Sequence, residues 1–380
     1  MLAQTISTQN NADLQDSSAT SLAADAPVAY VYVSSNSTGN AYEVHAFTAS
    51  ASGKLTRVTG SPFQADVTAI ASNGKYLYGS KANGMYVESF AIEADGALRA
   101  AASNNIVKYN EGECGRSGPL FFDRTGATLY DMEFDGNGCA NNAYQSFSVS
   151  KTTGGLHNLG SGAAGQWLYL PASFVGNNVY AYSASCLDGM YWQIFGFKRS
   201  SSGLLSQVNV NTPTPAPKEG DFYCPSQAAT DRTNHVAITF QAVDQQTFNP
   251  DGPPRLATYT SGTSGNLSTH STRENMPQTS VVAVTDINMS PSGKLLAVAG
   301  TGGMQIFHFN GSSPITHYTG LLTRDKIDQV FWDNDNHLYA ISQSAGKLFV
   351  FTVTPTSFHE ASGSPYKVVR PQSIAVQPRS

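Results

Sequence analysis

Four segments of the sequence concentrate charged side chains that could bind a ligand: residues 108–118, 134–142, 213–226 and 243–255. Acidic residues outnumber basic ones in and beside these segments. If the segments lie together in the fold, they form an acidic surface that could attract a cation or a polyamine-like ligand. The alternative is a solvated loop surface that binds nothing. The candidate ligand-binding residues are Glu113, Asp135, Trp167, Asp188, Asp221 and Arg255.

Motifs for catalysis or metal binding are scarce. The sequence contains no G-x-S-x-G, no H-E-x-x-H and no glycine-rich phosphate loop, and its eight histidines are scattered. The stretch DMEFDGNG, residues 131–138, is similar to the start of a calcium loop. Calcium sites take roughly six to eight oxygen ligands and a late carboxylate, whereas the twelfth position here is Asn142. We therefore favour a structural strand end over a calcium site, and expect no metal and no cofactor.

Four cysteines fall in or beside the same part of the sequence: Cys114, Cys139, Cys186 and Cys224. They form no C-x-x-C pair, so a zinc or thioredoxin-like site is only weakly supported. An even number of cysteines in a chain with few lysines favours two disulfides and an extracellular or periplasmic location. Four separate buried thiols are the alternative.

Composition limits the class of protein. The chain has 380 residues, of which 13% are charged, with 34 glycines, 18 tyrosines and 19 phenylalanines. This mixture is typical of many short strands joined by tight turns. The net charge of -5 argues against nucleic-acid binding, which needs a clustered basic surface. No run approaches about 18 consecutive apolar residues, so we expect no membrane-spanning helix.

The N-terminal residues differ from the rest of the chain. Residues 1–27 are polar, small and aperiodic, and they lack the apolar core of a signal peptide. We expect these residues to form a flexible arm. Residues 28–380 are expected to form a single domain, and the protein is expected to be a monomer.

A repeat runs through residues 28–380. Alternating runs end in an aromatic residue at Phe47, Phe90, Phe147, Phe195, Tyr259, Phe307 and Phe351. The first five are followed by a turn that contains Gly and then Leu, as in SGKL (52–55). A second signature, such as SNGKYLYGS (72–80), joins a polar turn to an alternating strand. Four strands per copy, which we name A to D, at a period of about 40–50 residues indicate the blades of a β-propeller.

The two ends of the repeat predict how the ring closes. The last strand A, PQSIAV (371–376), has no strand B after it, and the first strand B, AYVYVSS (29–35), has no strand A before it. We therefore predict an all-β, seven-bladed propeller of four-stranded antiparallel blades, with residues 371–376 paired beside residues 29–35. This closure would remove the two edges that an open array leaves exposed.

The assignment of strands A to D also predicts where the long charged segments lie in the ring. The D–A and B–C connections open at one end of such a ring, and long loops on a rigid scaffold are where binding residues concentrate. Cys114 and Cys139 flank strands of one blade, while Cys186 and Cys224 lie in the next blade and the one after. We predict the disulfides Cys114–Cys139 and Cys186–Cys224.

The quoted motifs resemble those of a known group of propellers. YVYVSSN (30–36), GSPF (60–63), SPSGKLLAVAG (290–300) and GSPY (363–366) are similar to motifs of the lactonase-like seven-bladed propellers, such as 6-phosphogluconolactonase and YVTN-repeat relatives. The resemblance covers about residues 28–380. It implies Arg, His and Glu around the channel mouth in the active members. Arg116 and Glu133 match that set, whereas Ser117 stands where His is expected.

Two hypotheses of function follow. The leading one is an exported propeller that binds a small ligand or a protein partner at its loop-rich channel mouth, without catalysis. The other is a lactone or sugar-acid hydrolase or isomerase in which Arg116 and Glu133 orient a carboxylate or polarise a lactone carbonyl. The alternative for this pair is an ion pair within one blade, which stabilises little. A purely structural surface module is a third possibility.

Overall fold

The computed structural model describes residues 26–379 except 40, 82–85, 106–116, 134–143, 162–170, 188–190 and 209. Within these ranges the chain forms thirty β-strands. The first fifteen are β1 (Ala29–Asn36), β2 (Tyr42–Ala49), β3 (Leu55–Arg57), β4 (Phe63–Gln64), β5 (Val67–Ser72), β6 (Tyr76–Lys81), β7 (Tyr86–Ile92), β8 (Leu98–Asn105), β9 (Ser117–Phe122), β10 (Thr128–Glu133), β11 (Tyr144–Val149), β12 (Leu156–Ser161), β13 (Ser173–Phe174), β14 (Tyr180–Leu187) and β15 (Tyr191–Arg199). The others are β16 (Leu205–Val208), β17 (Asp221–Thr230), β18 (His235–Asp244), β19 (Arg255–Ser261), β20 (Leu267–Ser268), β21 (Val284–Met289), β22 (Leu295–Gly300), β23 (Gly303–Asn310), β24 (Ser313–Thr323), β25 (Gln329–Trp332), β26 (His337–Ser342), β27 (Lys347–Val353), β28 (Phe358–Glu360), β29 (Tyr366–Lys367) and β30 (Pro371–Pro378).

These strands form seven antiparallel sheets, which are the blades of a propeller. In order from strand A to strand D, the blades are I (β30-β1-β2-β3), II (β5-β6-β7-β8), III (β9-β10-β11-β12), IV (β13-β14-β15-β16), V (β17-β18-β19-β20), VI (β21-β22-β23-β24) and VII (β25-β26-β27-β28). The prediction of an all-β, seven-bladed propeller of four-stranded blades is confirmed.

The ring closes as predicted. β30 pairs antiparallel with β1, with Ala375 opposite Tyr32 and Ile374 opposite Val33. The last strand of the chain is therefore strand A of the blade that the first strand begins. This pairing satisfies the backbone edge of β1 that would otherwise be free to template aggregation.

Strand B is buried on both faces, and this explains its apolar sequence. Tyr30 and Tyr32 of β1 belong to a core cluster with residues of blade II, while Val31 and Val33 belong to one with residues of blade VII. Successive side chains of a strand point to opposite faces, so every strand B contributes to two blade interfaces. The hydrophobic core of the protein is thus a ring of seven interfaces rather than one central mass.

The glycine turns of the repeat lock neighbouring blades together. In four successive interfaces a strand B tyrosine donates its hydroxyl hydrogen to the carbonyl of the turn glycine in the next blade. These pairs are Tyr32–Gly96, Tyr78–Gly154, Tyr130–Gly203 and Tyr182–Gly265, at 2.8–3.0 Å. Gly96 has φ +87, and a Cβ there would lie 2.6 Å from the Tyr30 ring. The turn therefore needs glycine both for its backbone conformation and for the close approach.

The two ends of the ring differ in their connections. We name the end with the D–A and B–C connections the top, and the end with the A–B and C–D turns the bottom. At the top, the outer strand is interrupted in blades I and VII, where GSPF and GSPY precede the short strands β4 and β29. β4 places Gln64 opposite Glu43, and β29 places Lys367 opposite Lys347.

Candidate ligand-binding channel

A cavity of about 400 Å³ occupies the axis of the ring. All seven blades line it with residues of strand A or of the segment beside it. Representative lining residues, from blade I to blade VII, are Ile374, Ile70, Leu120, Ala172, Ala228, Ile287 and Val330. The cavity is apolar around Pro119, Leu120 and Phe121 of blade III and more polar toward blades V to VII.

Polar side chains of strand A join successive blades around this cavity. The inner edge of each strand A leaves backbone groups that need hydrogen-bond partners. In four consecutive blades, the side chain at one position of strand A bonds to a backbone group of the next blade. Gln227 Nε2 donates to the Thr285 carbonyl (3.0 Å), and Asp286 Oδ2 accepts from Val330 N–H (2.9 Å). Gln329 Oε1 accepts from Ile374 N–H (3.0 Å), and Ser373 Oγ accepts from Ile70 N–H (3.2 Å). The corresponding residues in blades II and III are Ala69 and Pro119, whose side chains cannot make such bonds.

Asp286 is one of two charged side chains among the described lining residues of the cavity. Burial raises the pKa of its carboxyl group to about 7, although the backbone N–H groups of Val330 and Ile287 partly stabilise the anion. Desolvation therefore outweighs hydrogen bonding at this site. A carboxyl group with such a pKa changes its charge near neutral pH.

Arg124 is the other charged lining residue and lies at the bottom end of the cavity. It follows strand A of blade III, and its Nε donates to the Phe174 carbonyl of blade IV at 2.6 Å. Its Nη2 donates to Thr230 Oγ1 at 2.8 Å and to the Asp231 carbonyl, both in blade V. Burial lowers the pKa of this guanidinium. The side chain thus links three blades, and its Nε and Nη2 donors are used by the protein itself.

Most of the sequence-predicted site residues lie outside the described residues: Arg116, Glu113, Asp135, Trp167, Asp188, Cys114 and Cys139. The flexible arm predicted for residues 1–27 also falls almost entirely outside them. Glu133 is the last residue of β10, and its register partner is Ser117, the residue that follows Arg116.

The predicted binding residues Asp221 and Arg255 both lie in blade V and are engaged by other groups. Asp221 hydrogen-bonds to Asp251, and burial together with that neighbour raises the pKa of the Asp221 carboxyl. Lys218 Nζ lies 3.1 Å from Asp251 Oδ2 and lowers the pKa of that second carboxyl. Arg255 Nη1 donates to the carbonyls of Arg273 (3.0 Å) and Met276 (3.1 Å). The structure does not bring Asp221 and Arg255 together as an ion pair.

The predicted disulfide Cys186–Cys224 is confirmed. Cys186 lies near the top end of β14 and Cys224 in β17, with their Cα atoms 5.2 Å apart. The bond joins blade IV to blade V. The other predicted pair, Cys114–Cys139, falls outside the described residues.

We expect the double variant Cys186→Ser/Cys224→Ser to lose about 2–4 kcal/mol of unfolding free energy, because the bond closes a loop of 38 residues in the unfolded chain. Urea denaturation of the wild type and the variant measures the difference. The control uses both proteins with Cys114 and Cys139 also replaced by Ser. In that background, a reductant should lower the urea midpoint of the protein that keeps Cys186 and Cys224 and should leave the midpoint of the double variant unchanged. Equal midpoints for oxidised wild type and variant would contradict the prediction.

One buried cluster has the residue types of a nucleophilic site but not its geometry. Ser35 Oγ lies 3.1 Å from His45 Nε2, and Glu43 Oε1 lies 3.1 Å from the same nitrogen. Arg57 Nη1 lies 2.9 Å from His45 Nδ1, so Nδ1 accepts a hydrogen bond and Nε2 carries the proton. Burial, helped by Arg57, lowers the pKa of His45. A histidine with its proton on Nε2 cannot accept one from Ser35 there, so the cluster is a structural network in blade I.

The fold can now be compared with known structures. A periplasmic gluconolactonase of Pseudomonas aeruginosa superposes with a TM-score of 0.63 at 12% identity, over 92% of this chain and 98% of that chain. A provisionally assigned 6-phosphogluconolactonase of Bacteroides fragilis gives a TM-score of 0.60 at 14% identity, over 93% and 99% of the two chains. The fold is that of a lactonase-like seven-bladed β-propeller. A hypothetical selenium-binding protein of Sulfolobus tokodaii is similar to the same extent, with a TM-score of 0.62 at 10% identity, over 92% and 94% of the two chains.

At these identities the likeness concerns the fold and not the chemistry. No protein-family model and no curated protein matches the sequence. Within the described ranges no helix has the length and hydrophobicity needed to cross a bilayer. In the same part of the chain, no three His, Cys, Asp or Glu residues are grouped so that they could hold a metal ion.

Proposed function

We propose that the protein is an exported propeller that binds a small organic ligand in its central channel, reached from the top end, and that it does not transform this ligand. The observation that carries the proposal is the cavity of about 400 Å³ with Asp286 on its wall. Ligand pockets are typically about 300–1,000 Å³, largely apolar, with a few polar groups that fix orientation. The channel has a volume in this range, and its wall combines apolar side chains with polar ones that could orient a ligand.

The charges of the channel favour binding over catalysis. Hydrolysis of a lactone needs a positioned base together with a group that stabilises the developing oxyanion. Of the two charged residues in the described lining, Arg124 is bound to carbonyl groups of blades IV and V. Among the described lining residues, this leaves Asp286 without a charged partner for catalysis. Asp286 shares the cavity wall with Phe331, so an amine-bearing ligand could gain charge attraction from the carboxylate and a cation–π contact from that ring.

The predicted mouth residues would extend this preference. Glu113, Asp135 and Asp188 would give the mouth an acidic rim that draws a cation toward the channel, and Trp167 would offer a flat surface for it. A protein partner bound at the same end is the alternative occupant. An extracellular or periplasmic location agrees with the Cys186–Cys224 disulfide and with the periplasmic gluconolactonase of similar fold.

Calorimetric titration with small amines, such as putrescine, spermidine and choline, tests the proposal. We expect a member of this set to bind the wild type and to lose roughly tenfold or more in affinity in Asp286→Asn, because a charge-assisted contact is removed. The matched control is Asp335→Asn, since Asp335 is an exposed aspartate in the A–B turn of blade VII, away from the channel. Binding that is equal in the two variants, or absent from the wild type, would contradict the assignment to the channel.

A second candidate function is hydrolysis of a lactone or sugar acid. It is favoured by the superposition on a gluconolactonase and by the register that places Ser117, next to Arg116, opposite Glu133. A panel of lactones with the variants Arg116→Ala and Glu133→Gln separates this candidate from the first. Turnover by the wild type that both substitutions abolish would establish the hydrolase and displace the binding protein.

A further inference from the structure

A groove of about 480 Å³ lies at the top end where blade VII meets blade I. Its walls are the B–C connection of blade VII with the first residue of β27, residues 343–347, and β29 with the residues on either side of it, residues 365–370. Three cationic residues line it, namely Lys347, Lys367 and Arg370. The groove is separate from the axial cavity, with which it shares no lining residue.

Two of these cations lack a carboxylate partner within the described residues. Lys347 Nζ lies 2.7 Å from Asp325 Oδ2, with which it forms an ion pair. No ion pair joins Lys367 or Arg370 to an acid in the described ranges. Lys367 also stands directly opposite Lys347 in the antiparallel pair β27–β29. Like charges at such positions are destabilising, so the fold gains nothing from this arrangement.

A second copy of the same structural motif indicates that the fold does not require a basic pair. In blade I, GSPF leads into β4 just as GSPY leads into β29 in blade VII. There Gln64 stands opposite Glu43, at the positions that Lys367 and Lys347 occupy in blade VII. The positive charge is therefore particular to the groove at the blade VII–I boundary.

The backbone of Arg370 is also unusual. Its φ of +46 lies in the left-handed region, which residues other than glycine and asparagine rarely adopt. The Arg370 carbonyl accepts hydrogen bonds from Asn36 N–H (3.3 Å) and Gln372 Nε2 (3.0 Å), which hold it in place. Backbone strain that is maintained by its surroundings occurs preferentially at binding and active sites. Here the carbonyl is fixed, while the guanidinium has no ion-pair or hydrogen-bond partner in the part of the chain that the structure describes.

We propose that this groove binds a ligand with two or more anionic oxygen groups, phosphate or carboxylate. Arg370 would contact the anion through its planar guanidinium, which matches such groups in a two-point contact, and Lys367 would contact it as a point charge. The protein has a net charge of -5, so the attraction is local to this groove and not a property of the whole surface. The inference goes beyond the function proposed for the channel and does not depend on it.

The test is isothermal titration of the full chain with pyrophosphate and, separately, with citrate at low ionic strength. We expect binding of at least one probe, which weakens with added salt because the contacting charges are exposed. The variant Lys367→Gln/Arg370→Gln should lose roughly tenfold or more in affinity. The control Lys54→Gln/Lys294→Gln removes two exposed cations from bottom-end turns and should bind like the wild type. Binding of pyrophosphate alone would assign phosphate groups, and binding of citrate alone would assign carboxylates.

A single charge reversal separates loss of the site from damage to the fold. Lys367→Glu turns the like-charge pair with Lys347 into an attractive one, so its melting temperature should equal or exceed that of the wild type. The same substitution should abolish binding. The proposal is overturned if neither probe binds the wild type, if both double variants bind equally, or if Lys367→Glu still binds.

Discussion

Replacing Asp286 by Asn is expected to raise the free energy of unfolding at pH 8 by up to roughly 4 kcal/mol and to leave it nearly unchanged at pH 3. The reason is the burial of its carboxyl group, which raises the pKa to about 7 in the folded protein from 3.8. Above pH 7 the wild type holds a partly desolvated anion on the channel wall. Asn keeps an oxygen that can accept the hydrogen bond from Val330 N–H, but it carries no charge.

The direction of the pH dependence follows from proton linkage. Between about pH 4 and pH 7 the folded protein binds a proton at Asp286 that the unfolded chain has released. The favourable contribution is therefore complete below pH 4 and is lost as the pH rises through the folded-state pKa. The contribution of Asp286 to the unfolding free energy of the wild type should therefore decrease between about pH 4 and pH 7.

Urea denaturation at a series of pH values from 3 to 8 measures this difference. The unfolding free energies of wild type and Asp286→Asn should converge below about pH 4 and diverge between about pH 4 and pH 7. Asp335→Asn, which alters an exposed carboxylate, should run parallel to the wild type over the whole range. A constant offset between wild type and Asp286→Asn would contradict the assignment, because it would mean that the carboxyl group titrates alike in both states.

The same titration connects the channel to the proposed function. An amine-bearing ligand interacts with the ionised form of Asp286 and should therefore lower the pKa of that carboxyl when it binds. Its affinity should rise between pH 6 and pH 8, over the interval in which the free protein loses the proton. A neutral ligand in the same cavity would not have this dependence.

The ring itself could be predicted from sequence because its signals are local. Each blade is a meander in which glycine turns and alternating strands recur at short range, as in SGKL and SNGKYLYGS. The unpaired first strand B and last strand A then left one way to close the ring. The Cys186–Cys224 disulfide was predictable from the same strand assignment, because both residues lie at the top end of neighbouring blades.

Asp286 and Arg124 could not be identified in this way. Within TDINMS (285–290), Asp286 looks like one polar residue of an alternating strand, and its distinction is that strand A lines a low-dielectric channel. The strand assignment from the repeat puts Asp286 on the inner strand of blade VI. Its hydrogen bond to Val330, however, depends on how closely blades VI and VII approach each other. Arg124 looks like a turn residue of DRTG, and its partner Thr230 is 106 residues away. Contacts at such separation follow from the closed ring and not from local pattern.

Arg124 is expected to be among the most important single side chains for stability. Its guanidinium donates to Phe174, Thr230 and Asp231, so it connects blades III, IV and V at the bottom of the channel. Arg124→Met keeps much of the side-chain volume but removes three charge-assisted hydrogen bonds and leaves the Asp231 carbonyl without this donor. We expect a loss of about 3–5 kcal/mol of unfolding free energy. Thermal and urea denaturation, followed by circular dichroism, measure it.

Two further variants locate the origin of the effect. Arg124→Lys keeps the charge but replaces the planar, five-donor guanidinium by a single ammonium group, so it should recover only part of the lost stability. Arg99→Met removes an exposed arginine paired with Glu93 at 2.8 Å, and such pairs contribute about 0–1 kcal/mol. If Arg124→Met were no less stable than Arg99→Met, the links between blades III, IV and V would have to come from apolar packing instead. The hydrogen bonds of Arg124 would then satisfy buried carbonyl groups without determining the stability of the ring.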